Sequence, residues 1–216
     1  AAQSFGAIYK NKKSCNLSEI GCTSFFPSKP LGCYGDGGAI FTNNDEIAEI
    51  SRRIRVHGAE SKHWFTHIGL GGRMDTLQAA ILLAKLDVFT KEIEQRIKVG
   101  QRYNKSFDEN SISRVKQKDD RTSVFAQYTI FTNNREELVK LLNSKGIPTA
   151  VHYIYPVNQS PAYNKFCKGD TPISDDISNK VLSLPMHPYL NKGDQDMIIQ
   201  SIVSLNWGVI MNDLTN

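Results

Sequence analysis

The chain has 216 residues, with 26 Lys and Arg against 22 Asp and Glu, a formal net charge of +4, 40% hydrophobic and 22% charged residues. These values are ordinary for a globular chain long enough to bury a real core as one large domain or two small ones, and they exclude a disordered or low-complexity chain. The mild charge is interspersed, so Lys10-Asn11-Lys12-Lys13 and Ser51-Arg52-Arg53 read as solvated faces and no nucleic-acid partner is expected. No apolar run spans a bilayer and no signal-peptide pattern is visible. Cys15, Cys22, Cys33 and Cys167 show no C-x-x-C spacing, which reads as free thiols in the reducing cytoplasm.

Residues 1–10 read as the end of a strand followed by a turn at Gly6, and the opening of the chain inside a motif, without methionine, is expected of a fragment. Thr23 to Phe26 is a β-prone run, and Gly38 to Thr42 a second strand closed by Asn43-Asn44. Asn43, with Glu46 three residues on, predicts a helix cap, and Ile47, Ile50 and Ile54 share one face of the helix that follows, with Gly58 as its stop. Residues 59–72 read as a loop. In it His63 and His67 stand at i and i+4, but Trp64 occupies the place of a zincin glutamate, so no metal is expected.

Asp75 and Gln78 predict a capping box for a long helix. Its apolar stripe, Leu77, Ile81, Ala84 and Val88, is expected to pack in the core, and Ile93 and Ile97 continue the pattern toward Tyr103. The polar composition of residues 104–123 predicts a domain junction, with domains at 1–103 and 104–216. Beyond it the pattern alternates: Val124 to Thr132 extended, Asn134 to Ser144 helical with Gly146 as its stop, Ile147 to Tyr155 extended, then helices over Ser174 to Leu184 and Asp194 to Leu205. The second domain reads as a small α/β unit without repeats.

The most informative stretch is Thr23-Ser24-Phe25-Phe26-Pro27-Ser28-Lys29-Pro30-Leu31-Gly32, followed by Gly35-Asp36-Gly37-Gly38. It sets one lysine between an apolar run and a glycine-rich turn, with Pro27 and Pro30 stiffening the flanks by fixing φ and removing two donors. A lysine held out of water loses its proton more readily than one on a solvated helix, and a neutral amine is what imine formation requires. This stretch closely resembles the cofactor-lysine segment of the DegT/DnrJ/EryC1/StrS sugar aminotransferases. The resemblance continues in Ala1-Ala2-Gln3-Ser4-Phe5-Gly6-Ala7, in Arg55-Val56-His57-Gly58, in Gly72-Arg73-Met74-Asp75-Thr76-Leu77-Gln78-Ala79-Ala80 and in Val151-His152-Tyr153, in the family's order over most of the chain.

The resemblance implies an α/β chain of the fold-type I transferases dependent on pyridoxal 5'-phosphate (PLP): part of the large domain, then a small C-terminal α/β domain. It implies that Lys29 bonds covalently to PLP and shuttles the substrate proton, that the Ser24 hydroxyl donates to the cofactor phosphate, and that Gln3 contacts the ring hydroxyl. The family's aspartate for the pyridine nitrogen falls immediately before Ala1. Arg73, His152 and Tyr153 match positions that contact the nucleotide-sugar substrate or cofactor amine near a subunit boundary, and an arginine fork suits a diphosphate. Where many members carry asparagine, reaching the phosphate of the neighbouring subunit's cofactor, this chain has Gly71. Either a backbone N–H stands in or that contact is missing. The expected activity is transamination of a UDP- or dTDP-linked keto sugar by glutamate in a homodimer with its active sites at the interface, in polysaccharide, glycan or natural-product sugar synthesis. Lys29 argues against the dehydratase relatives, which carry histidine there. The alternative is a truncated, non-catalytic paralogue or partner subunit.

Overall fold

The computed structural model describes residues 1–214 and their side chains as far as Leu205. The chain forms two compact units, one of residues 1–94 with 117–126 and the other of 95–116 with 127–216.

The first unit opens with a turn over residues 2–6 where the end of a strand is expected. Ala7 N–H donates to Ser4 O at 2.8 Å, so these residues bond locally, and the amine of Ala1 donates to Cys22 O at 2.6 Å. A hairpin follows, β1 (Ile8–Tyr9) and β2 (Lys12–Lys13), whose loop residues Lys10 and Asn11 both take positive φ, as a tight two-residue turn requires. Residues 117–126 return to it: Thr122 Oγ1 accepts from Ile8 N–H at 2.7 Å and Thr122 N–H donates to Ile8 O at 2.9 Å.

β3 (Gly21–Ser24) pairs antiparallel with β4 (Gly38–Phe41), Gly21 opposite Phe41 and Ser24 opposite Gly38. Helix α1 (Asp45–Ile54) is capped by Asn44, one residue beyond the expected Asn43, because the Asn44 carboxamide reaches both Glu46 N–H (2.9 Å) and Ile47 N–H (3.1 Å). Gly58 is not its stop. The helix ends at Ile54, and Gly58 serves a closer packing: a Cβ there would lie 1.7 Å from His67 O. The expected loop of 59–72 contains a second hairpin, β5 (Ala59–Ser61) with β6 (Trp64–Phe65), turned by His63 at φ 67°.

Helix α2 (Thr76–Glu109) runs without interruption for 34 residues, so the polar shift at residue 104 does not coincide with the end of an element. The expected apolar stripe is out of phase. Leu77 is 76% exposed and Val88 is exposed too, while Leu82 and Phe89 are buried. Those two pack with Phe25, Leu31 and Cys33, flanked by Phe5, Met74 and Ile93. Phe5 stacks on Phe89 at 5.7 Å and meets Phe25 edge-on at 6.0 Å.

In the second unit β7 (Tyr128–Phe131) pairs antiparallel with β8 (Val181–Leu184). All four residues of β8 are buried, and this strand replaces the last turn of the helix expected over Ser174 to Leu184; helix α4 (Pro172–Lys180) stops before it. A fully buried Val-Leu-Ser-Leu run looks the same in sequence whether helical or extended. The extended stretch expected from Ile147 to Tyr155 is a single bridge, Ala150 opposite Ser183, followed by turns. Helix α3 (Arg135–Ser144) ends as expected near Gly146, at φ 71°, and helix α5 (Lys192–Leu214) packs on α3. The core gathers Tyr103, Phe107, Ile130, Leu142 and Leu182, all at most 1% exposed. The Tyr103 ring lies tilted against that of Tyr128 at 4.7 Å, and burial pushes both phenols well above the usual tyrosine range.

Candidate active site

The lysine stands on a turn that the surrounding sequence builds from both ends. Phe26, Pro27, Ser28 and Lys29 form a β-turn closed by Lys29 N–H to Phe26 O at 2.9 Å, with proline in the position where a fixed φ favours the turn. Upstream, the Ser24 hydroxyl oxygen accepts from Phe26 N–H at 3.1 Å. That contact uses a lone pair and leaves the O–H free to donate. Around it a wider loop closes twice, by Phe25 N–H to Gly37 O and by Cys33 N–H to Phe25 O, each at 2.8 Å. Phe25, Pro30, Leu31 and Cys33 are buried, so the half-buried Lys29 is presented by a segment anchored in the core on either side.

Gly32 is needed for this closure. A Cβ there would fall 2.6 Å from Pro27 O and 2.8 Å from Phe26 O, inside contact distance of the turn that carries the lysine. The Cys33 thiol, fully buried, lies 2.9 Å from Phe25 O and 3.1 Å from Gly35 O.

Helix α2 supports the far side of the loop. Gln78 does not close a capping box; its Oε1 accepts from Tyr34 N–H at 2.8 Å. Two turns further along the same face, Lys85 Nζ donates to Gly32 O at 2.5 Å and lies 4.8 Å from the centre of the Tyr34 ring. Neither role is expected from the sequence pattern around Gln78 or Lys85. The available signal was a long polar side chain at two positions of the phase that buries Leu82 and Phe89.

Ser24 and Lys29 thus flank one turn. Gln3 is exposed in the turn of residues 2–6, beside the main chain that Ala1 ties to Cys22 of β3. Arg73 is exposed in the segment leading into α2, held next to Arg55 by Gly72 N–H to Arg55 O at 2.9 Å. Gly71 faces Val56 in an antiparallel bridge whose flanking bonds are His57 N–H to Leu70 O and Gly72 N–H to Arg55 O. In such a pair the Gly71 N–H is not part of the ladder. His152 and Tyr153 belong to the second unit: His152 Nδ1 lies 3.0 Å from Ser183 Oγ of β8, and Tyr153 is 66% exposed.

This donor set fits PLP. A primary amine is the partner an aldehyde requires, and a neutral hydroxyl with a free O–H serves a phosphate without adding a competing charge.

A chain with an anchored lysine turn and a small α/β unit is that of a fold-type I transferase, the PLP-dependent class. Residues 1–203 match the model of the DegT/DnrJ/EryC1/StrS aminotransferase family, and the chain belongs to that family. It is 49% identical to the UDP-2-acetamido-2-deoxy-3-oxo-D-glucuronate aminotransferase of Pseudomonas aeruginosa, over 94% of this chain and 56% of that protein. Among solved structures it resembles a DegT DnrJ EryC1 StrS aminotransferase from Brucella abortus, at 39% identity and a TM-score of 0.91 over 95% of this chain and 56% of that one. It also resembles S. venezuelae DesV in complex with a ketimine intermediate, at 32% identity and a TM-score of 0.90 over 95% and 56%. The chain therefore spans little more than half the length of these relatives.

Proposed function

We propose that this chain is the lysine-bearing and C-terminal part of a PLP-dependent aminotransferase that converts a nucleotide-linked keto sugar to an amino sugar with glutamate as amino donor. A UDP-linked 3-keto sugar is the favoured substrate, supported by the name of the Pseudomonas aeruginosa relative. The observation that carries the reading is the anchored turn: Lys29 is half-buried between the buried Phe25 and Leu31, on a β-turn that Gly32 packs against.

PLP supplies an electron sink that makes a proton on the amino-bearing carbon removable. The protein's part is placement and proton movement. Lys29 would hold the cofactor at its aldehyde carbon through Nζ, with loss of water, and its amine when freed would take the proton from one carbon and deliver it to the other. The Ser24 O–H holds the cofactor phosphate, and the Gln3 carboxamide meets the ring hydroxyl. The Arg73 guanidinium offers paired donors to the nucleotide diphosphate, and His152 and Tyr153 are assigned to substrate binding from the second unit. The main-chain N–H of Gly71, outside the bridge to Val56, serves as donor where relatives use asparagine. The working enzyme is a cytoplasmic homodimer with its active sites at the interface. All four cysteines are free, and no helix among the described residues is long and apolar enough to cross a membrane.

The test is Lys29→Ala in the full-length protein. Transamination of a UDP-linked 3-keto sugar by glutamate and the visible absorbance of the bound cofactor should both vanish, while far-UV circular dichroism stays unchanged. Turnover that persists with normal cofactor absorbance would overturn the assignment of Lys29.

A further inference from the structure

The face of α2 that meets the lysine loop is built differently from an ordinary packing face. Gln78, Leu82, Lys85 and Phe89 follow one another at spacings of four, three and four residues, which places them on one side of the helix. Leu82 and Phe89 supply apolar packing. Gln78 and Lys85 instead reach the main chain of the loop, at Tyr34 N–H (2.8 Å) and Gly32 O (2.5 Å). An apolar residue at either place would leave a loop N–H or C=O without this partner.

Three steps of contact lead from these bonds to Lys29. Lys85 and Gln78 grip both ends of the tripeptide Gly32–Tyr34, whose centre, Cys33, is fully buried and bonded by its own N–H to Phe25 O at 2.8 Å. Gly32 is packed so closely on the turn that a Cβ would come within 2.6 Å of Pro27 O. Pro27 is the second residue of the turn whose fourth residue is Lys29. A movement of Gly32 is therefore passed to the lysine turn with little slack between them.

We propose that Gln78 and Lys85 are positioning residues for Lys29: together they clamp the Gly32–Tyr34 tripeptide and so fix where the Lys29 amine meets the cofactor aldehyde. The proposal deepens the PLP reading and rests on it. Neither side chain touches the reacting atoms. Their effect is to restrict the lysine turn to the geometry in which the amine can add to the aldehyde carbon with loss of water, a reaction sensitive to displacements of about an ångström.

The experiment uses the full-length protein, freed of cofactor, as wild type and as Lys85→Met, Lys85→Arg, Gln78→Leu and Gln78→Glu. The arginine keeps a cationic donor and the glutamate keeps an acceptor oxygen, so these two are the rescue variants. PLP is added for timed intervals, borohydride then delivers hydride to the new C=N bond, and the phosphopyridoxyl group on each lysine peptide is measured by mass. Amide exchange of the peptide spanning residues 25–38 is read on the cofactor-free proteins, along with each melting temperature. Labelling of Lys29 should slow by roughly tenfold or more in Lys85→Met and Gln78→Leu, with faster exchange in the same peptide. The rescue variants should recover most of both, and the exposed Lys105 should label alike throughout. Wild-type protein labelled at Lys29 with both apolar variants labelled as fast would overturn the proposal alone. So would slow labelling in proportion to a lowered melting temperature and without rescue. Wild-type protein with no label at Lys29 would overturn the PLP reading and the clamp with it.

Discussion

At the scale of single residues, the site depends on groups that are small or absent as much as on those that do chemistry. Lys29 is defined by its setting, and the tightest part of that setting is the missing side chain of Gly32. Gly32→Ala adds one methyl 2.6 Å from Pro27 O and 2.8 Å from Phe26 O, and neither neighbour is the movable end of a side chain. Backbone must shift, at a cost of about 1–3 kcal/mol in the manner of an overpacked core. The variant should therefore show a lower urea midpoint and weaker cofactor retention together. Gly169→Ala is the matched control, since nothing lies within 4 Å of a Cβ there. An unchanged midpoint for Gly32→Ala would mean that the loop yields easily and that the close packing has no mechanical consequence. The stiffened setting of Lys29 was legible in the sequence because Pro27, Pro30 and the glycines are local signals, while its role rests on the resemblance. The polar grip from Gln78 and Lys85 was not, because it joins residues 44 and 53 positions apart.

At the scale of elements, phase decided what could be read. The sequence of α2 contains two overlapping apolar series, 77–81–84–88 and 82–89–93, about one residue apart and so turned by roughly 100° from each other. Periodicity identified the helix and could not choose between the faces; contact with Phe25, Leu31 and Phe5 chose. The strand β8 was hidden for a related reason, as an unbroken buried run carries no alternation. The helix α3 and its glycine stop were readable because their signals lie within a few residues of one another.

The aromatic cluster of the second unit gives a pH prediction. Tyr103 donates to Pro185 O at 3.1 Å and Tyr128 to Asn104 Oδ1 at 2.8 Å. Burial, first among the causes, raises both phenol pKa values above those of the unfolded chain. A raised native value means the folded state holds its protons more tightly. The associated stability is then fully present below the unfolded tyrosine value near about 10 and declines as pH rises from there through the native value. Titration of the phenolate band near 295 nm should show two of the eight tyrosines ionising late and together with loss of near-UV circular dichroism. Tyr128→Phe should remove one of the late pair. Eight tyrosines ionising in one reversible step, with the fold intact, would show that this cluster is open to solvent.

At the scale of the whole molecule, the chain leaves apolar side chains and strand edges exposed. Among the described residues β3 and β4 form a sheet of only two strands, and α2 leaves Leu77, Leu83 and Val88 exposed, Leu83 to 67%. Ile68 is 99% exposed. Open strand edges beside apolar patches promote self-association. This chain accounts for 56% of the Pseudomonas aeruginosa aminotransferase and of the Brucella abortus structure. Our expectation is that residues 1–216 expressed by themselves are not a competent transaminase, and that a polypeptide of the relatives' length is. Lys29 and Ser24 would still stand on their turn, but water would take the place of any cover that the rest of a longer enzyme gives it. Water competes for every hydrogen bond to the cofactor and hydrolyses the bond to Lys29. The check is to purify both polypeptides, add PLP, and follow amino transfer from glutamate to the cofactor by absorbance, with a hydrophobic dye and size-exclusion elution as measures of exposed surface. The shorter chain should bind dye strongly, elute as a mixture of associated species and transfer amino groups at no more than about a hundredth of the full-length rate, a loss the size expected when a reacting group is poorly placed. A monodisperse 216-residue chain with low dye binding and a comparable rate would show that the outward face of α2 is a natural surface and that the two units hold the whole catalytic apparatus.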